Sequence, residues 1–362
     1  MNPILAAVFS GAKRPLELRE FPRPDLEPGE AWIRIECCTV CGSDVHTATG
    51  RRIEPSPSIL GHEAVGVVEE VAVGSPPVDA RGEPLRAGDR IVWSVIVSCG
   101  ECDRCAGGLP QKCRSLAKYG HAVAEGRFAL SGGISQGLLL RRGSTAVRVP
   151  TDLPGEVLAP ASCATATVAA AFRAARPVSG RRVLILGAGM LGLTASAFAR
   201  SRGADSTTVV DVDPRRLTLA NDFGADAAVA WVDEPGELHR RLAPGGGAPR
   251  FDVVMEFSGA VEAVEAAFRV ADVGGDIVLV GSVATSRPAR IDPEGVVRRC
   301  LSVRGVHNYA PDDLRDAVEF LDGPGRGFPF AKLIAASFPL VEADAAMRAM
   351  IRDRAVRVAI RP

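Results

Sequence analysis

Two patterns of hydrophobic spacing divide the chain. Up to about Pro150, short apolar or alternating runs such as Ala31–Glu36, Ala64–Val73 and Arg90–Ile96 are separated by Gly/Pro turns, which predicts an all-β segment. From about Ala164, Ala-rich helical stretches alternate with the apolar runs Arg182–Leu186, Thr207–Val212, Phe251–Glu256 and Asp276–Val280. Strands that alternate with helices predict a parallel, doubly wound α/β sheet. The last 55 residues are mixed and end in a β-like run, Ala355–Ile360, expected to rejoin the first domain. With 362 residues the chain exceeds what one core holds, so two domains with a cleft between them are expected.

Composition narrows the partners. The chain is 47% hydrophobic and 24% charged, values of an ordinary globular protein. Lys plus Arg and Asp plus Glu both total 43, so net charge gives no reason to expect nucleic acid or an acidic membrane, and small molecules are the expected partners. Met1–Ser10 lacks the basic flank and apolar core of a signal peptide, and no apolar run reaches the roughly 18 residues of a membrane span. A cytoplasmic location is expected. Nine cysteines in such a chain point to metal or catalysis rather than to disulfides.

Four of them form Cys99-x2-Cys102-x2-Cys105-x7-Cys113. Four thiolates in one loop can close a tetrahedral shell around Zn²⁺ and leave no position for water, so this site is expected to be structural. A redox Cys-x-x-Cys reading fits less well, because no thioredoxin-like βαβ unit surrounds it. A second set begins at Cys41-Gly42-Ser43-Asp44-Val45-His46 and continues at Gly61-His62-Glu63. Cys41 and His62 suit a catalytic zinc, which takes three protein ligands and one open position. Cys163 is a candidate third ligand, though spacing alone leaves it open, and a single Cys or His is more often a core residue. Cys37, Cys38 and Cys300 read as small buried hydrophobes.

The run Val183–Leu186 leads into Gly187-Ala188-Gly189-Met190-Leu191-Gly192 and then an Ala-rich helix, Leu193–Arg200. A G-x-G-x-x-G in that setting is a dinucleotide fingerprint: glycines let the backbone approach the pyrophosphate, and the helix N-terminus favours its charge. Asp211, nineteen residues past Gly192, ends the next strand, where it can bind the adenosine ribose hydroxyls. It would also repel a 2′-phosphate, so NAD is expected over NADP, although Arg215 and Arg216 follow closely.

Together these segments resemble the zinc-dependent branch of the medium-chain dehydrogenase/reductase family, which includes alcohol, sorbitol and threonine dehydrogenases. The resemblance covers nearly the whole chain, with the motifs in the family's order. It implies a GroES-like β domain, 1–163 plus 308–362, and a Rossmann domain, 164–307, with the active site in the cleft between them. It implies two zinc ions per chain: one held by Cys99, Cys102, Cys105 and Cys113, and one by Cys41, His62 and Cys163, with Glu63 beside the latter as a supporting or exchanging ligand. Asp44 would orient His62, Ser43 would contact the substrate hydroxyl, and His46 would complete a proton relay. Val280 and Gly281 would lie at the nicotinamide, and Arg357 would supply a cofactor phosphate contact. Gly42 departs from relatives that carry a cation there, and the Ala-Thr-Ala-Thr after Cys163 is unlike the common alcohol dehydrogenase sequence.

A closer likeness, to a subgroup of alcohol dehydrogenases associated with phosphonate catabolism, rests on Trp93-Ser94-Val95, Gly108–Cys113, Cys163–Thr167 and Gly305–Tyr309. The expected activity is hydride transfer between a small polar alcohol (a polyol, a cyclitol or a hydroxyalkylphosphonate) and NAD, by a homodimer or homotetramer. His307, Asn308 and Tyr309 are candidate polar groups for such a substrate. The rivals are a zinc-free quinone or enone reductase of the same superfamily, a non-catalytic NAD-binding protein, and a zinc ribbon on nucleic acid. The first usually lacks both cysteine clusters. The last would call for a basic patch, whereas the Cys99–Cys113 loop balances Arg104 and Lys112 against Glu101 and Asp103.

Overall fold

Along Ala31–Thr39 the sequence AWIRIECCT turns only Arg34 out to solvent and leaves Glu36 half-buried, so this strand is covered on both faces. It is the spine of the first of two units seen in a computed structural model of the protein, which describes residues 3–243 and 245–362. Unit 1 comprises Met1–Ala166, Ala310–Asp322 and Phe330–Pro362; unit 2 comprises Thr167–Tyr309 and Gly323–Pro329.

In unit 1 the strands are β1 (Ile4–Phe9), β2 (Glu17–Phe21), β3 (Ala31–Thr39), β4 (Ser58–Ile59), β5 (Glu63–Val71), β6 (Arg90–Val97), β7 (Ala117–Lys118), β8 (Gly137–Leu140) and β9 (Ser144–Arg148). The chain's last two strands, here termed β16 (Ile334–Pro339) and β17 (Arg357–Arg361), also belong to this unit. An eight-stranded sheet runs β16-β17-β3-β5-β6-β7, with β8 also on β3 and β9 also on β6. The C-terminal strand rejoins the first domain as expected: β17 pairs antiparallel with β3, Ala359 opposite Thr39 and Ile360 opposite Cys38. On the other side of β3, Thr39 lies opposite Glu63 and Cys38 opposite Ala64. These two registers bring the ends of three strands that are remote in sequence to one place. The core beneath them includes Ile33, Ile35, Val68, Ile91, Trp93, Tyr119, Leu138, Met347 and Ile360.

Unit 2 carries β10 (Arg182–Leu186), β11 (Ser206–Asp211), β12 (Ala227–Ala230), β13 (Phe251–Glu256), β14 (Ala271–Leu279) and β15 (Ser302–Gly305). All pairings are parallel, in the order β12-β11-β10-β13-β14-β15. This is the doubly wound order, in which ligands bind at the strand C-termini where the order reverses, here between β10 and β13. Helix Met190–Ser201 follows β10, and helix Val261–Val270 packs on β13 and β14.

Two boundaries differ from the sequence reading. Strand β14 starts at Ala271 rather than Asp276, since the ladder with β13 tolerates an irregularity between Phe251 and Val253. Residues 323–329 group with unit 2 rather than with the C-terminal part of unit 1, because Phe328 stacks on Phe223 at 6.4 Å. Among the described residues no single helix is long and apolar enough to cross a membrane.

Gly66 tests the close packing at the centre of the first sheet. A Cβ there would lie 2.6 Å from the Arg34 carbonyl oxygen and 2.6 Å from Ile33 Cγ2. Gly66→Ala should therefore destabilise the protein by about 1–3 kcal/mol, the usual cost of overpacking. Urea unfolding followed by circular dichroism checks this, and an unchanged midpoint would contradict it.

Candidate active site and metal centres

The Cys99–Cys113 loop folds through a short helix, Asp103–Ala106, and a turn, Pro110–Lys112. Arg114 clamps it by two hydrogen bonds to Asp103, at 2.6 and 2.7 Å. The four Sγ atoms converge: Cys99–Cys113 3.4 Å, Cys102–Cys105 3.5 Å, Cys99–Cys105 4.0 Å and Cys102–Cys113 4.0 Å. Thiolates about 2.3 Å from a tetrahedral zinc would be about 3.8 Å apart, so the spacing fits such an ion. Backbone N–H groups of Cys99 and Ser115 donate to Cys113 Sγ, both at 3.3 Å, and help to lower its thiol pKa. Backbone donors from Arg114 and Cys105 bring the Cys102 thiol down to about 6. Burial and the shared hydrogen bond with Cys102 push the Cys105 thiol up to about 12, so the loop favours thiolates at Cys102 and Cys113.

The second donor set is Cys41, His62 and Cys163, whose ligand atoms all lie within 4.8 Å of one another. Cys41 lies two residues past β3 and is the N-cap of helix Gly42–Thr49; His62 immediately precedes β5; Cys163 follows the turn Ala159–Ser162. Several bonds fix this geometry. Ser162 Oγ donates to the His62 carbonyl at 3.1 Å and accepts from the Ala64 N–H at 3.3 Å, tying the Cys163 turn to the start of β5. Gly61 has φ +88°, and a Cβ there would strike Cys38 Sγ at 2.6 Å, so only glycine fits beside His62. Asp44, almost wholly buried, accepts from the Cys41 N–H at 2.8 Å and stands 3.5 Å from His62 Nδ1. Ser43 Oγ lies 3.3 Å from His62 Nε2.

The electrostatics separate the two thiols. A hydrogen bond from Cys163 lowers the Cys41 pKa against the effect of burial, and Arg357, with Nη2 at 3.5 Å from Sγ, lowers it further. Sharing that bond, together with burial, raises Cys163. Burial opposes a charge on His62, but Asp44 and Cys41 together raise its pKa.

Two site residues have protein partners that the sequence did not indicate. Arg357 is buried, and its guanidinium is committed to Glu63: Nε to Oε2 at 2.7 Å and Nη2 to Oε1 at 2.8 Å. It sits beneath the donor set, with Nη2 also near Cys41 Sγ. Glu63, also bonded by Thr39 Oγ1 at 2.7 Å, has both carboxylate oxygens engaged and stands outside the Cys41, His62, Cys163 group. Ser43 and His46 share a helix face, but no hydrogen bond joins them; burial and Arg51 depress the His46 pKa. The sequence reading also missed Thr39, Ser162 and His121. The His121 ring lies 5.0 Å from the His62 ring, and burial lowers its pKa.

In unit 2 each fingerprint glycine has a distinct geometric reason. Gly187 has φ +105°, and a Cβ there would meet Ser258 N at 2.9 Å. Around a Cβ on Gly189 there is open space, as a loop that admits a ligand requires. On Gly192 a Cβ would lie 1.7 Å from the Gly187 carbonyl oxygen, so close helix–strand packing excludes it. Met190 and Leu191 form the first turn of helix Met190–Ser201, where amides face an incoming anion. Asp211 closes β11 and accepts from the N–H groups of Ala188, at 2.5 Å, and Asp213, at 2.8 Å. Val280 and Gly281 follow β14, and both N–H groups donate to the Glu256 carbonyl, at 2.9 and 3.0 Å.

Comparison with known proteins accords with this architecture. The alcohol dehydrogenase GroES-like domain matches residues 27–151 and the zinc-binding dehydrogenase domain residues 191–323. An alcohol dehydrogenase of Geobacillus stearothermophilus is 32% identical over 87% of this chain and 87% of its own. The crystal structure of an alcohol dehydrogenase from Thermotoga maritima superposes with a TM-score of 0.90 at 30% identity, covering 100% of both chains. A zinc-binding dehydrogenase from Sinorhizobium meliloti, bound to NADP, gives 0.87 at 25% identity with the same coverage. The fold and donor sets define a zinc-binding, nicotinamide-dependent oxidoreductase. The chain belongs to the medium-chain dehydrogenase/reductase family, in its alcohol dehydrogenase branch.

The Glu63–Arg357 pair generates a prediction. Arg357→Met leaves a buried carboxylate without its counter-ion and should cost about 3–5 kcal/mol, whereas Glu63→Leu with Arg357→Met should recover most of that loss. Urea unfolding of the zinc-loaded proteins distinguishes the cases. Equal destabilisation by the single and double changes would contradict the pairing argument.

Proposed function

We propose that the protein is a zinc-dependent, NAD-linked alcohol dehydrogenase acting on a small polar alcohol. The observation that carries this reading is the Cys41, His62, Cys163 triad, its first two members buried, with the Ser43 hydroxyl at 3.3 Å from His62 Nε2: three donors, which would leave a zinc ion its fourth position, and a proton acceptor beside them. Zinc held by these donors supplies Lewis-acid polarisation of the alcohol oxygen, and NAD supplies the hydride acceptor. Ser43 Oγ takes the hydroxyl proton and passes it on towards His46. Since no direct bond joins these two, a water or a ligand hydroxyl bridges them. Asp44 holds the His62 ring in place, and Arg357 sustains the Cys41 thiolate. The balance is alcohol plus NAD⁺ to carbonyl, NADH and one proton.

The four-cysteine shell leaves no open position and serves as a staple. Two zinc ions per chain are therefore expected by elemental analysis of protein purified without chelator. Cys102→Ser should lose one zinc and much stability, while Cys41→Ser should lose one zinc and alcohol-dependent NADH formation with less effect on unfolding. Wild-type protein that binds no zinc, or a Cys41→Ser variant with full turnover, would refute the assignment.

For the cofactor, the Asp211 carboxylate at the end of β11 disfavours a 2′-phosphate. Arg215, which could offset it, is tied to Asp213 at 2.8 and 3.1 Å. Catalytic efficiency with NAD should exceed that with NADP about tenfold or more, about 1.4 kcal/mol, and Asp211→Gly should narrow the ratio. Steady-state kinetics with both cofactors checks this, and a preference for NADP would overturn it.

A further inference from the structure

Outside the metal donors and the relay, unit 1 gathers a second set of polar side chains against the same site. Gly120, with φ +74°, packs its Cα so close to the preceding strand entry that a Cβ would lie 2.8 Å from the Gly61 carbonyl oxygen and 3.2 Å from His62 Cβ. Its N–H is bonded to the Ser131 carbonyl at 2.8 Å, so the next residue, His121, is fixed over His62 with ring centroids 5.0 Å apart. The His121 side chain is only 7% exposed. Its Nδ1 stands 3.3 Å from Glu54 Oε1, itself on a side chain 12% exposed, a contact that falls short of a well-formed hydrogen bond. Arg52 Nε lies 2.5 Å from the same Glu54 oxygen. The Arg52 N–H bonds to the His46 carbonyl at 3.0 Å, which anchors this segment to the helix that carries Ser43.

Holding an imidazole and a carboxylate in so little water is unfavourable unless something completes their hydrogen bonds. The metal does not need them, and the relay does not run through them. We propose that His121 and Glu54 form a recognition site for a second hydroxyl on the substrate, so that the preferred alcohols are vicinal diols or polyols rather than mono-alcohols. The inference rests on the alcohol dehydrogenase reading above. A hydroxyl both donates and accepts, which matches a carboxylate beside an imidazole. An anionic group suits the pair less well, since Glu54 repels it and Arg52 is already matched to Glu54. Lying one ring away from His62, the pair addresses the carbon next to the reacting one. A site built to bond a hydroxyl discriminates strongly against an analogue without it, because its buried polar groups are then left unpaired.

The test compares propane-1,2-diol with propan-2-ol, using zinc-loaded protein and NAD. Wild type should favour the diol by about tenfold or more in kcat/KM. His121→Phe and Glu54→Leu should lower kcat/KM for the diol about tenfold more than for propan-2-ol, and His121→Gln, which keeps a donor and an acceptor, should restore part of the preference. Binding supplies a readout apart from turnover: in the NADH complex, the dissociation constant of propane-1,2-diol, followed by NADH fluorescence, should rise by a similar factor in His121→Phe. Equal use and equal binding of the two alcohols by wild type would overturn the proposal, as would variants that lose both alcohols in parallel, which marks a structural role. A large preference for 2-hydroxypropylphosphonate that His121→Phe leaves intact would assign the pocket to anions instead. Absence of NADH formation with every alcohol in zinc-loaded wild type would instead refute the underlying function.

Discussion

The ion pair between Glu63 and Arg357 joins residues 294 positions apart and sits beneath the donor set. Both side chains are essentially excluded from solvent, at 0% and 5% exposure, so each charge is tolerable only because of the other. Three consequences follow from this one contact. The last strand is held at the start of β5, which closes the sheet through β17 and β3. Nη2 of the guanidinium lies near Cys41 Sγ and, after the hydrogen bond from Cys163, helps to lower that thiol's pKa. Burial opposes the charge on Arg357, but Glu63 and Cys41 more than offset it, so the cation persists where a lysine point charge could not serve both partners in a fixed fork.

A second constraint is backbone proximity. Around His62 the chain passes Gly61 and Gly120, each with positive φ and each without room for a side chain. Together they set how close the His62 and His121 rings come. In unit 2 the equivalent closeness is between β10, its following helix and the turn after β13, where Gly187, Gly192 and Gly259 leave space for no Cβ. In both units, then, the functional side chains are placed by backbone segments in van der Waals contact. Side-chain changes at a distance disturb such a site less than one methyl group at a glycine does.

What could be read from the sequence was what is local along it. The four cysteines occupy one loop, and the dinucleotide fingerprint is one strand–turn–helix, so spacing alone carried their geometry. The central strands were legible because burial on both faces makes them continuous apolar runs, as in β10 and β13. Strands β12, β15 and β16 escaped notice because they are short and largely exposed or half-exposed: β12 is only Ala-Ala-Val-Ala, and β15 and β16 mix polar with apolar residues. The contacts that were missed or misassigned span the fold. Nothing adjacent to Arg357 in sequence indicates Glu63, and nothing near Ser162 indicates the His62 carbonyl. Likewise His121 is an ordinary histidine after a Tyr-Gly until Gly120 is seen packed on Gly61. Such pairings are fixed by sheet register, which hydrophobic periodicity specifies only after the strand order is known.

The same pairing explains why two donor sets in one chain differ in chemistry. A zinc ion takes four ligands, and whichever shell the protein leaves incomplete is the reactive one. Four sulfurs complete the Cys99–Cys113 shell. At the other set a fourth protein donor lies next in sequence to His62, in the Glu63 carboxylate. Were that carboxylate free to turn, it would close the shell and exclude an alcohol oxygen. It is held away by three hydrogen bonds, one from Thr39 and two from Arg357. Its confinement is stronger than that of an exposed acid, because turning towards the metal would leave the Arg357 guanidinium buried and unpaired. On the function proposed above, the ion pair that anchors the C-terminal strand would also keep a fourth position free for substrate.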